Sequence, residues 1–400
     1  MFYGFLAYSL YCRGDSMMLI SFGARNYLSF KEGFEVSLEL SPSCPPAISA
    51  GKGVSNVLCI IGPNASGKTN VIRALTFVSD FCCNSFSNKP EERLSVTSFG
   101  FSTEASSFFM EFNIGDVRYY YEVELTNTEV LSETLERKAS RKIKVFSRKR
   151  QELEYCIKEL QELKTMKLRK NVSVLSAAHQ YEIRGLEEVY AFFSHIVSNI
   201  DPFAGEVKYN EQTANVFSIS KTYYESSETL DFVREKLALF DTGINGISIE
   251  KLKGPTDDDY FFPFFNHTTK QGVVTVPYYL ESNGTRSLFS QLSIYKQVLD
   301  CGGVLLIDEF GNNLHPDILG KLVNLFLDPE NNTNNAQLVF CTHNTGVMDT
   351  LGKYRIVLVN KEENESFLYR IDELPGNIVR NDRSLETIYK TGKLGGTPNL

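Results

Sequence analysis

The sequence contains no tryptophan, no apolar run long enough to cross a membrane and no pair of cysteines with C-x-x-C spacing. A membrane-spanning helix needs about 20 apolar residues, so the missing run argues against a membrane protein. The eight cysteines are scattered and indicate neither a disulfide framework nor a zinc module. A net charge of −8 excludes a surface that is basic throughout. We therefore expect a protein of the reducing cytoplasm.

The sequence does contain enough apolar residues for a large core. Its 400 residues are 42% hydrophobic and include 29 Phe and 20 Tyr, which suits one large domain or two modest ones. Residues 1–16 are apolar but lack the basic start and small-residue cleavage site of a signal peptide. Because Met17 and Met18 follow directly, we expect 1–16 to be a disordered extension.

The spacing of apolar residues predicts strands that alternate with helices, and hence a largely parallel sheet. Alternation over 18–40 predicts half-buried strands, and Gly115-Asp116 divides two alternating runs within 107–125, as in a β-hairpin. Helices are predicted from the apolar spacing at 70–81 and 287–299. Short apolar runs predict buried strands at 57–61, 303–307, 337–341 and 355–359.

One segment differs in charge from the rest of the chain. From Arg137 to Lys170 there are 13 Lys or Arg against 4 Glu, a balance of +9, so the remaining chain carries about −17. Helical spacing predicts an amphipathic helix through Leu153, Cys156, Ile157, Leu160 and Leu163. Residues 171–200 also have helical character, and we interpret 136–215 as a helical, partly basic insertion. Its cations suit a nucleic-acid backbone or a partner protein, and the scarcity of aromatic residues among them favours the partner protein.

The most specific motif is a glycine-rich loop between a predicted strand and a predicted helix. Residues 62–69 read Gly-Pro-Asn-Ala-Ser-Gly-Lys-Thr, a complete match to G-x-x-x-x-G-K-[ST]. The N–H groups of such a loop and the positive end of the next helix bind phosphates. Lys68 would reach the β- and γ-phosphates, and Thr69 would be a ligand of Mg²⁺. The predicted nucleotide contacts are Gly62, Asn64, Ser66, Gly67, Lys68, Thr69 and Asn70.

Two further strands end in polar residues that suit nucleotide hydrolysis. The run at 304–307 leads into Asp308 and Glu309, which predicts that Asp308 holds magnesium and that Glu309 is the general base for the attacking water. The run at 338–341 leads into Thr342 and His343. Parallel strands bring both ends to one sheet edge, so His343 is the expected sensor of the γ-phosphate.

The segment 279–285, Tyr-Leu-Glu-Ser-Asn-Gly-Thr, precedes the helix that leads into the Asp308–Glu309 strand. Ser282 and Gly284 lie at the predicted helix start, where free N–H groups can bind a phosphate. An ordinary N-cap and turn would explain the same residues. Their position between the glycine-rich loop and the Asp-Glu strand favours the phosphate contact.

In this order, the P-loop, the Ser-x-Gly helix start, the Asp-Glu strand and the Thr-His strand resemble the ABC-type ATPase heads of the Rad50, SMC and RecF group. The run from Ile20, with Asn-Tyr-Leu-Ser-Phe at 26–30, is similar to the first strand of those heads. The segment 282–316, which ends in Leu-His-Pro, most closely resembles the bacterial AAA15/AAA_21 ATPases, near the overlapping-lysogenisation-defect (OLD-like) and abortive-infection ATPases. The resemblance covers most of 18–375.

The resemblance implies an α/β fold: a P-loop NTPase of the ABC head type, with a mixed sheet, an antiparallel β-subdomain and a helical insertion. Residues 17–135 and 216–375 would form the two parts of the head. The insertion at 136–215 would separate them, and 376–400 would be a tail that frays over 392–400.

The resemblance also implies ATP and Mg²⁺ as cofactors and ATP hydrolysis as the activity. The active form would be a head-to-tail homodimer or a higher homo-oligomer. ATP would lie between the P-loop of one subunit and Ser282 and Gly284 of the other. Asn312 and Asn313 would lie in the loop that crosses this interface.

Three features depart from the pattern of the group. The helix start reads Glu-Ser-Asn-Gly-Thr instead of Leu-Ser-Gly-Gly-Gln, and Leu28 stands where Rad50-like heads often carry Arg. No glutamine is assigned to the magnesium-binding Q-loop, because Gln151 and Gln180 both fall in the insertion. These departures predict slow or partner-dependent hydrolysis.

Other nucleotide-binding classes fit less well. Asn-Lys-Glu-Glu at 360–363 resembles the guanine-reading N-K-x-D motif, but Glu363 is too long to grip guanine as Asp does, and a charged turn explains the residues. A small-molecule kinase needs neither the Ser-x-Gly helix start nor the Thr-His strand. A transporter subunit would carry a closer signature and a smaller insertion.

Two functions remain open for the ATPase. One is an ATP-driven DNA-binding or repair machine of the RecF/Rad50 type. The other is an ATPase that gates a separate effector, a nuclease or toxin, in bacterial anti-phage defence by abortive infection. Only about 57 residues follow His343, too few for the Toprim nuclease of OLD-type enzymes. We therefore expect any effector to be a separate chain.

Overall fold

The computed structural model describes residues 16–201, 205–206, 212–240, 243–254, 258–312, 314–376, 378–379 and 383–396, without side chains from 201 to 215. Residues 1–15 of the predicted extension, Asn313 of the predicted interface loop and residues 397–400 of the predicted tail lie outside the described residues.

The first half of the chain is rich in strands. They are β1 Met17–Arg25, β2 Phe34–Ser37, β3 Val57–Ile61, β4 Ser106–Ile114, β5 Val117–Leu125, β6 Val130–Lys138, β7 Lys142–Lys149, β8 Glu152–Cys156, β9 Ile196–Ser198, β10 Ile200–Asp201 and β11 Gly205–Glu206. The helices among them are α1 Pro46–Ser49, α2 Lys68–Asn84, α3 Val174–Gln180 and α4 Glu187–Ser194.

The second half alternates more evenly between helices and strands. Its helices are α5 Gln212–Glu225, α6 Ser227–Phe240, α7 Asn283–Cys301, α8 Pro316–Leu327, α9 Val347–Leu351 and α10 Leu385–Lys390. Its strands are β12 Ile244–Lys253, β13 Asp259–Thr269, β14 Gly272–Pro277, β15 Val304–Ile307, β16 Gln337–Cys341, β17 Ile356–Glu362 and β18 Glu365–Arg370.

A six-stranded sheet in the order β18-β17-β3-β16-β15-β9 forms the centre of the fold. Its strands pair in parallel except for β18, which forms an antiparallel hairpin with β17. In β3, Leu58 and Ile60 join one hydrophobic core, and Val57, Cys59 and Ile61 join the other. Burial on both faces explains why this strand is a continuous apolar run, as expected for a parallel sheet. The prediction of a largely parallel sheet is confirmed.

A seven-stranded antiparallel sheet, in the order β2-β1-β4-β5-β6-β7-β8, packs beside this centre. The strict alternation of β4 buries Phe108 and Phe112. Phe108 lies 4.9 Å from Phe77 of α2, and Phe112 stacks on Phe192 of α4 at 4.0 Å, both measured between ring centroids. The hairpin predicted around Gly115-Asp116 is the β4–β5 pair. Helix α2 therefore lies between the two large sheets and carries the P-loop at its start.

The opposite face of the central sheet is covered by helices and a third sheet. The helices α5 to α8 contribute to a second core, together with β12 and β13 of a three-stranded sheet ordered β12-β13-β14. Helix α7 ends at Gly302, whose φ of 67° suits a glycine C-cap, and the chain turns directly into β15. The helix therefore runs back along β15, and its first turn lies toward the carboxyl end of that strand.

The amphipathic helix predicted through Leu153 to Leu163 is wrong. Residues 152–156 are strand β8, which pairs with β7, and residues 158–165 form a 3₁₀ segment. Leu160 and Leu163 are still fully buried, because a spacing of three residues also suits a 3₁₀ turn. This segment is a strand because it pairs with the free edge of β7. The spacing of apolar residues cannot predict such a pairing.

The rest of the predicted insertion is only partly helical. Helices α3 and α4 form within 171–200, but 196–198 is β9, the edge strand of the central sheet. The antiparallel sheet also continues through β6 and β7 across the predicted boundary at 135/136.

The predicted tail is ordered over much of its length. Helix α10 forms within it, and Leu385, Tyr389 and Leu394 are buried. The Tyr369 hydroxyl donates to the carbonyl of Leu394. Fraying is therefore wrong for residues 392–396, because Leu394 joins the second core and the Tyr389 hydroxyl donates to the carbonyl of Gly396.

Among the described residues, no helix combines the length and the apolar character that crossing a membrane would require.

Candidate nucleotide-binding site

The glycine-rich loop connects β3 to α2, and its glycines stand where a side chain does not fit. Gly67 is the N-cap of α2 and has a φ of 110°, which other residues rarely adopt. A Cβ on Gly67 would lie 2.8 Å from the hydroxyl oxygens of both Ser29 and Ser366. A Cβ on Gly62 would lie 2.3 Å from the carbonyl oxygen of Val359 in β17. The loop is therefore a tightly packed turn and not a flexible linker.

Side chains outside the motif hold this loop in place. Asn70 Nδ2 donates to Ser29 Oγ at 2.9 Å, and Ser366 Oγ donates to the Ser66 carbonyl at 2.6 Å. The Ser366 N–H donates to the Ser29 carbonyl at 2.8 Å. These bonds join the turn after β1 and the β17–β18 hairpin to the P-loop. The sequence analysis missed the roles of Ser29 and Ser366, because a serine in a turn carries no signal of a distant partner.

The crest of the loop has polar groups available for a ligand. Asn64 is exposed to solvent. Ser66 is 1% exposed, and its Oγ has no hydrogen-bond partner among the described residues. A buried hydroxyl without a partner is unfavourable, and a phosphate oxygen would satisfy it.

Lys68 extends into the mouth of the loop. Its Nζ donates to the carbonyl oxygens of Gly62 and Pro63, both at 2.9 Å. Burial lowers the pKa of Lys68, while the nearby Asp308 and Glu309 carboxylates oppose that shift. The ammonium group is thus held by neutral carbonyls, which a more strongly accepting phosphate would replace.

Thr69 and Asp308 meet directly, although 239 residues separate them. Thr69 Oγ1 donates to Asp308 Oδ2 at 2.7 Å. Asp308 is only 6% exposed and directly follows β15. In the central sheet, β16 lies between β15 and β3, the strand that leads into the P-loop. A hydroxyl and a carboxylate side by side are the hard oxygen ligands that Mg²⁺ prefers when phosphates and water complete its shell. The two predicted metal ligands therefore fit such an ion.

The backbone of Asp308 is held by a residue that the sequence analysis missed. Asn199, which follows β9, accepts the Asp308 N–H at 2.8 Å and donates from Nδ2 to the Asp308 carbonyl at 3.0 Å. Its own N–H donates to the Leu306 carbonyl at 3.2 Å. A single asparagine in Ser-Asn-Ile has no sequence signature. Only the parallel pairing of β9 with β15 reveals its role.

Glu309 has a backbone conformation that glutamate rarely adopts. Its φ is 54°, in the left-handed region that is strained for residues other than glycine. The Asn312 side-chain amide donates to its Oε2. Strain of this kind is retained mainly where the surrounding structure requires it. Here the positive φ of Glu309 turns the chain sharply directly after Asp308, so that the two neighbouring carboxylates do not continue the direction of β15.

His343 follows β16 at the same sheet edge. Burial lowers its pKa first, the positive charge of Lys68 lowers it further, and Glu309 and Asp308 act in the opposite direction. Thr342 beside it donates to the Phe310 carbonyl at 2.9 Å, and Phe310 N–H donates to the Cys341 carbonyl at 2.8 Å. The two loops after β15 and β16 are thus joined. His343 therefore lies close enough to Lys68, Asp308 and Glu309 for their charges to affect its pKa.

Residues 57–349 match the family described as "AAA domain, putative AbiEii toxin, Type IV TA system". This span is well over half of the chain and contains the P-loop, the Asp-Glu strand and the Thr-His strand. The chain belongs to this family. It is an AAA-type ATPase domain, and its activity is ATP hydrolysis. A comparison with curated proteins finds no match.

Solved structures with similar folds include two SMC heads and a RecF protein. An SMC head bound to the C-winged helix domain of ScpA has a TM-score of 0.45 and 15% identity, covering 93% of this chain and 99% of that one. An SMC head bound to the ScpA C-terminal domain from Pyrococcus furiosus has a TM-score of 0.44 and 11% identity, covering 94% and 99%. The recombination mediator protein RecF-ATPrS has a TM-score of 0.36 and 13% identity, covering 84% and 95%.

In this ATPase, Ser282 is the N-cap of α7, as the sequence predicted for a helix start. Its hydroxyl accepts the Thr285 N–H at 3.1 Å. Ser282 and Asn283 are exposed, and Gly284 is half-buried. Within the described chain, no hydrogen bond joins Ser282 or Gly284 to the P-loop.

The unusual Glu281 of the signature also has a structural partner. His267 Nε2 lies 2.6 Å from Glu281 Oε1, and the Glu281 side chain is only 6% exposed. His267 belongs to β13, so this pair ties the start of α7 to the three-stranded sheet. A leucine at this position, as in the common signature, would lose that connection.

Three other features of the sequence lie where they take no part in the site. Gln151 is exposed in the β7–β8 turn at one edge of the antiparallel sheet, and Gln180 is exposed at the end of α3. Leu28 has a φ of 51° and packs against the first core. The Asn-Lys-Glu-Glu segment is the end of β17 and a turn, with Glu363 at a φ of 47°. A charged turn is therefore the correct interpretation of 360–363.

Proposed function

We propose that this ATPase binds ATP with Mg²⁺ between two head-to-tail subunits and that the ATP-bound pair controls a separate effector in bacterial anti-phage defence. The observation that carries the proposal is the 2.7 Å contact of Thr69 with Asp308 beside the strained Glu309. This arrangement joins a phosphate loop, a metal-ligand pair and a candidate base at one sheet edge.

Each side chain of the site has a separate role in the proposal. Lys68 binds the β- and γ-phosphates, Thr69 and Asp308 hold Mg²⁺, and Glu309 takes a proton from the attacking water. His343 contacts the γ-phosphate. Bound Mg²⁺ would neutralise phosphate charge as bond cleavage proceeds. Ser66 Oγ, which is buried and has no hydrogen-bond partner in the described part of the chain, would donate to a phosphate oxygen.

The head-to-tail pair rests on the position of the α7 start. Ser282 and Asn283 are exposed, and the neighbouring Tyr279 and Leu280 are 47% and 76% exposed. The N–H groups of Asn283 and Gly284 have no partner among the described residues. A helix N-terminus offers such groups to an anion, and the γ-phosphate of the partner subunit's ATP is the proposed anion.

The defence role rests on the family and on the resemblance to abortive-infection ATPases. The family description names an AbiEii toxin of type IV toxin–antitoxin systems, which supports a system of two components. Infection assays test this role. Cells that carry the gene with its neighbours should resist phage, and Lys68→Ala should abolish resistance. Resistance that persists in the Lys68→Ala strain would contradict control by ATP.

The effector contact is proposed for a narrower surface than the whole 137–170 segment. Arg148 is fully buried, and Arg169 donates to the backbone carbonyls of Phe86 and Asn88, so both serve the fold. The exposed cations at the β6–β7 turn are Lys138, Arg141, Lys142 and Lys144, which we call the basic hairpin tip.

The basic hairpin tip carries unfavourable charge for an isolated protein. Lys138 lies directly opposite Lys142 across the β6–β7 ladder, and like charges in such pairs destabilise a hairpin. Glu136, 2.5 Å from Lys142, is the acidic partner there. An acidic surface on the effector would neutralise the remaining charge.

Charge reversal tests the tip. Changing Lys138, Arg141 and Lys142 to Glu should leave ATP hydrolysis intact and prevent co-purification of the product of the adjacent gene. The matched control changes Lys221, Lys270 and Lys321 to Glu. Normal co-purification by the tip variant would remove this surface from the proposal.

The same tip also favours a second candidate function, a DNA-binding machine of the RecF/Rad50 type. Clustered cations bind phosphate backbones, and the affinity then falls steeply with salt. Fluorescence anisotropy with a labelled duplex at several salt concentrations separates the candidates. Strong, salt-dependent binding that the tip variant loses would favour the DNA machine over the gated effector.

A further inference from the structure

A second cavity lies at the sheet edge opposite the ATP site. It encloses about 370 Å³. It is bordered by Ser55 and Asn56, which precede β3, and by Lys353 and Arg355, at the start of β17. The P-loop follows the other end of β3. The five residues of β3, about 17 Å of extended chain, therefore separate this cavity from the nucleotide site.

The cavity is rich in cations although the protein is acidic. Among the described residues, Lys52, Lys353, Arg355 and Arg383 line it, against the single carboxylate of Asp349. None of these four cations forms an ion pair within the described part of the chain. The Asp349 carboxylate is already engaged at the start of α10, where it accepts the Leu385 N–H at 2.6 Å and the Ser384 hydroxyl at 2.7 Å.

Arg355 shows the lack of compensating negative charge most clearly. It is 8% exposed, and its guanidinium donates only to neutral groups: the carbonyls of Ile48 and Leu351 and the hydroxyl of Ser55. Burial lowers the pKa of Arg355. A buried cation without a counter-charge is unfavourable, and an anion in the cavity would supply that charge.

The other cations also lack acidic partners. Lys52 Nζ donates to the amide oxygens of Asn56 and Asn335, at 2.7 and 3.1 Å. Lys353 Nζ donates to the Val379 carbonyl at 3.3 Å. Arg383 is exposed and forms no hydrogen bond with the described residues. All of these contacts leave the positive charges available to a ligand.

Much of the remaining wall is apolar. Leu40, Val54, Leu327, Leu351 and Leu385 contribute to it. The volume lies within the range of small-molecule sites, and apolar walls with a few polar groups are typical of such sites. A net excess of three positive charges suits a dianionic group, and phosphate monoesters carry nearly two negative charges at neutral pH.

We propose that this cavity binds a small phosphate monoester with an apolar or aromatic body, at a site separate from the ATP site. The phosphate pairs with Arg355, Lys353 and Arg383, and the body of the ligand packs on the leucines. The proposal does not depend on the dimer or on the effector, because all of its residues lie in one subunit.

Calorimetry with 1-naphthyl phosphate tests the site. One equivalent should bind per chain, and Lys68→Ala should leave the affinity unchanged, since that variant affects only the P-loop. Arg383→Glu and Lys353→Glu should each weaken binding about tenfold or more, as expected for loss of a charge-assisted contact. Lys270→Glu, an exposed lysine outside the cavity, is the matched control and should bind normally.

The proposal would be overturned by an absence of saturable binding or by unchanged affinity in both charge-reversal variants. A loss of binding in Lys68→Ala would also overturn it, because the probe would then be assigned to the P-loop. Arg383 is exposed and has no hydrogen-bond or ion-pair partner among the described residues, so its variant is expected to fold, and a melting curve checks this. Inorganic phosphate and 1-naphthol should each bind more weakly than the ester. Equal binding by either would contradict a site that recognises both parts of the ligand.

Discussion

At the scale of single residues, Asn199 connects β9 to the active-site strand through both ends of its side-chain amide. Asn199→Ala removes the two hydrogen bonds to the Asp308 backbone, which lie at 2.8 and 3.0 Å. We expect kcat to fall about tenfold or more with little change in KM, because misplaced groups impair the transition state more than binding. Steady-state phosphate release measures this. Asn84→Ala, which removes one surface hydrogen bond, is the control, and equal effects would contradict the positioning role.

Lys68 is the only positively charged side chain of the P-loop, residues 62–69, and is the proposed partner of the β- and γ-phosphates. Lys68→Ala should therefore abolish ATP binding, while the loop stays folded through Gly67, Ser29 and Ser366. Calorimetry measures the affinity and circular dichroism checks the fold. A variant that still binds ATP would refute the assignment of this loop as the nucleotide site.

His343 should influence stability in a pH-dependent way with a definite sign. Its pKa is lowered below the ordinary value of 6.5, so the folded protein takes up a proton at this site less readily than the unfolded chain. Its contribution to stability is complete above the ordinary pKa of 6.5 and is lost as the pH falls from there through the lowered pKa of the folded protein. Urea unfolding at pH 7.5 and 5.5 checks this. Wild type should lose more stability on acidification than His343→Gln, and an equal loss would contradict the lowered pKa.

At the scale of secondary-structure elements, a buried ion pair joins β6, β7 and α3. Arg148 and Glu133 are both fully buried, with 3.2 Å between Nη1 and Oε2. Glu133 also accepts the Tyr121 hydroxyl at 3.1 Å and the Val174 N–H at 3.0 Å. Burial raises the pKa of Glu133, and the charge of Arg148 opposes that shift. The pair is thus the polar junction of the antiparallel sheet with α3.

Removing one partner of this pair should destabilise the sheet strongly. Arg148→Met leaves a buried carboxylate without its counter-charge, which costs about 3–5 kcal/mol. Denaturant unfolding measures the free energy. The double variant Arg148→Met/Glu133→Leu should recover part of the loss, because no charge then remains buried. A double variant as unstable as the sum of the single ones would show that the two charges are not coupled.

At the scale of the whole molecule, the proposed pair of subunits should depend on ATP and on Glu309. Glu309→Gln cannot accept the proton from water, whereas Asp308 and Thr69 keep their contact. The variant should bind ATP, stop turnover and elute as a stable dimer with ATP and Mg²⁺. Gel filtration with light scattering measures the mass. Glu330→Gln, an exposed carboxylate away from the site, is the control and should hydrolyse ATP and remain in exchange between monomer and dimer.

Two results would contradict these roles. Unchanged phosphate release by Glu309→Gln would exclude it as the base. A trapped, ATP-bound monomer would exclude the head-to-tail pair while leaving the ATP site intact. The Glu309→Gln variant therefore tests the role of Glu309 as the base and the head-to-tail pairing of subunits separately.

The sequence alone determined the features that depend on residues close together in the chain. The P-loop, the Asp308–Glu309 pair and the Thr-His strand end are contiguous motifs, and β3, β16 and the β4–β5 hairpin have periods that match their conformation. Because each of these signals is local, the central sheet could be predicted, and the candidate site residues proposed, before any contact was known.

Only the tertiary structure decided the features that depend on distant partners. Asn199 lies 109 residues from Asp308, and Ser366 lies 300 residues from Ser66, so no local pattern indicates these contacts. The apolar residues of β8 have helical spacing, but the segment is a strand because it pairs with the free edge of β7. Arg148 is one of the 13 cations counted in the 137–170 segment, and only the fold shows that it is buried against Glu133. The free energies of burial and of strand pairing depend on segments that are far apart in the chain, so the spacing of residues within one segment does not predict them.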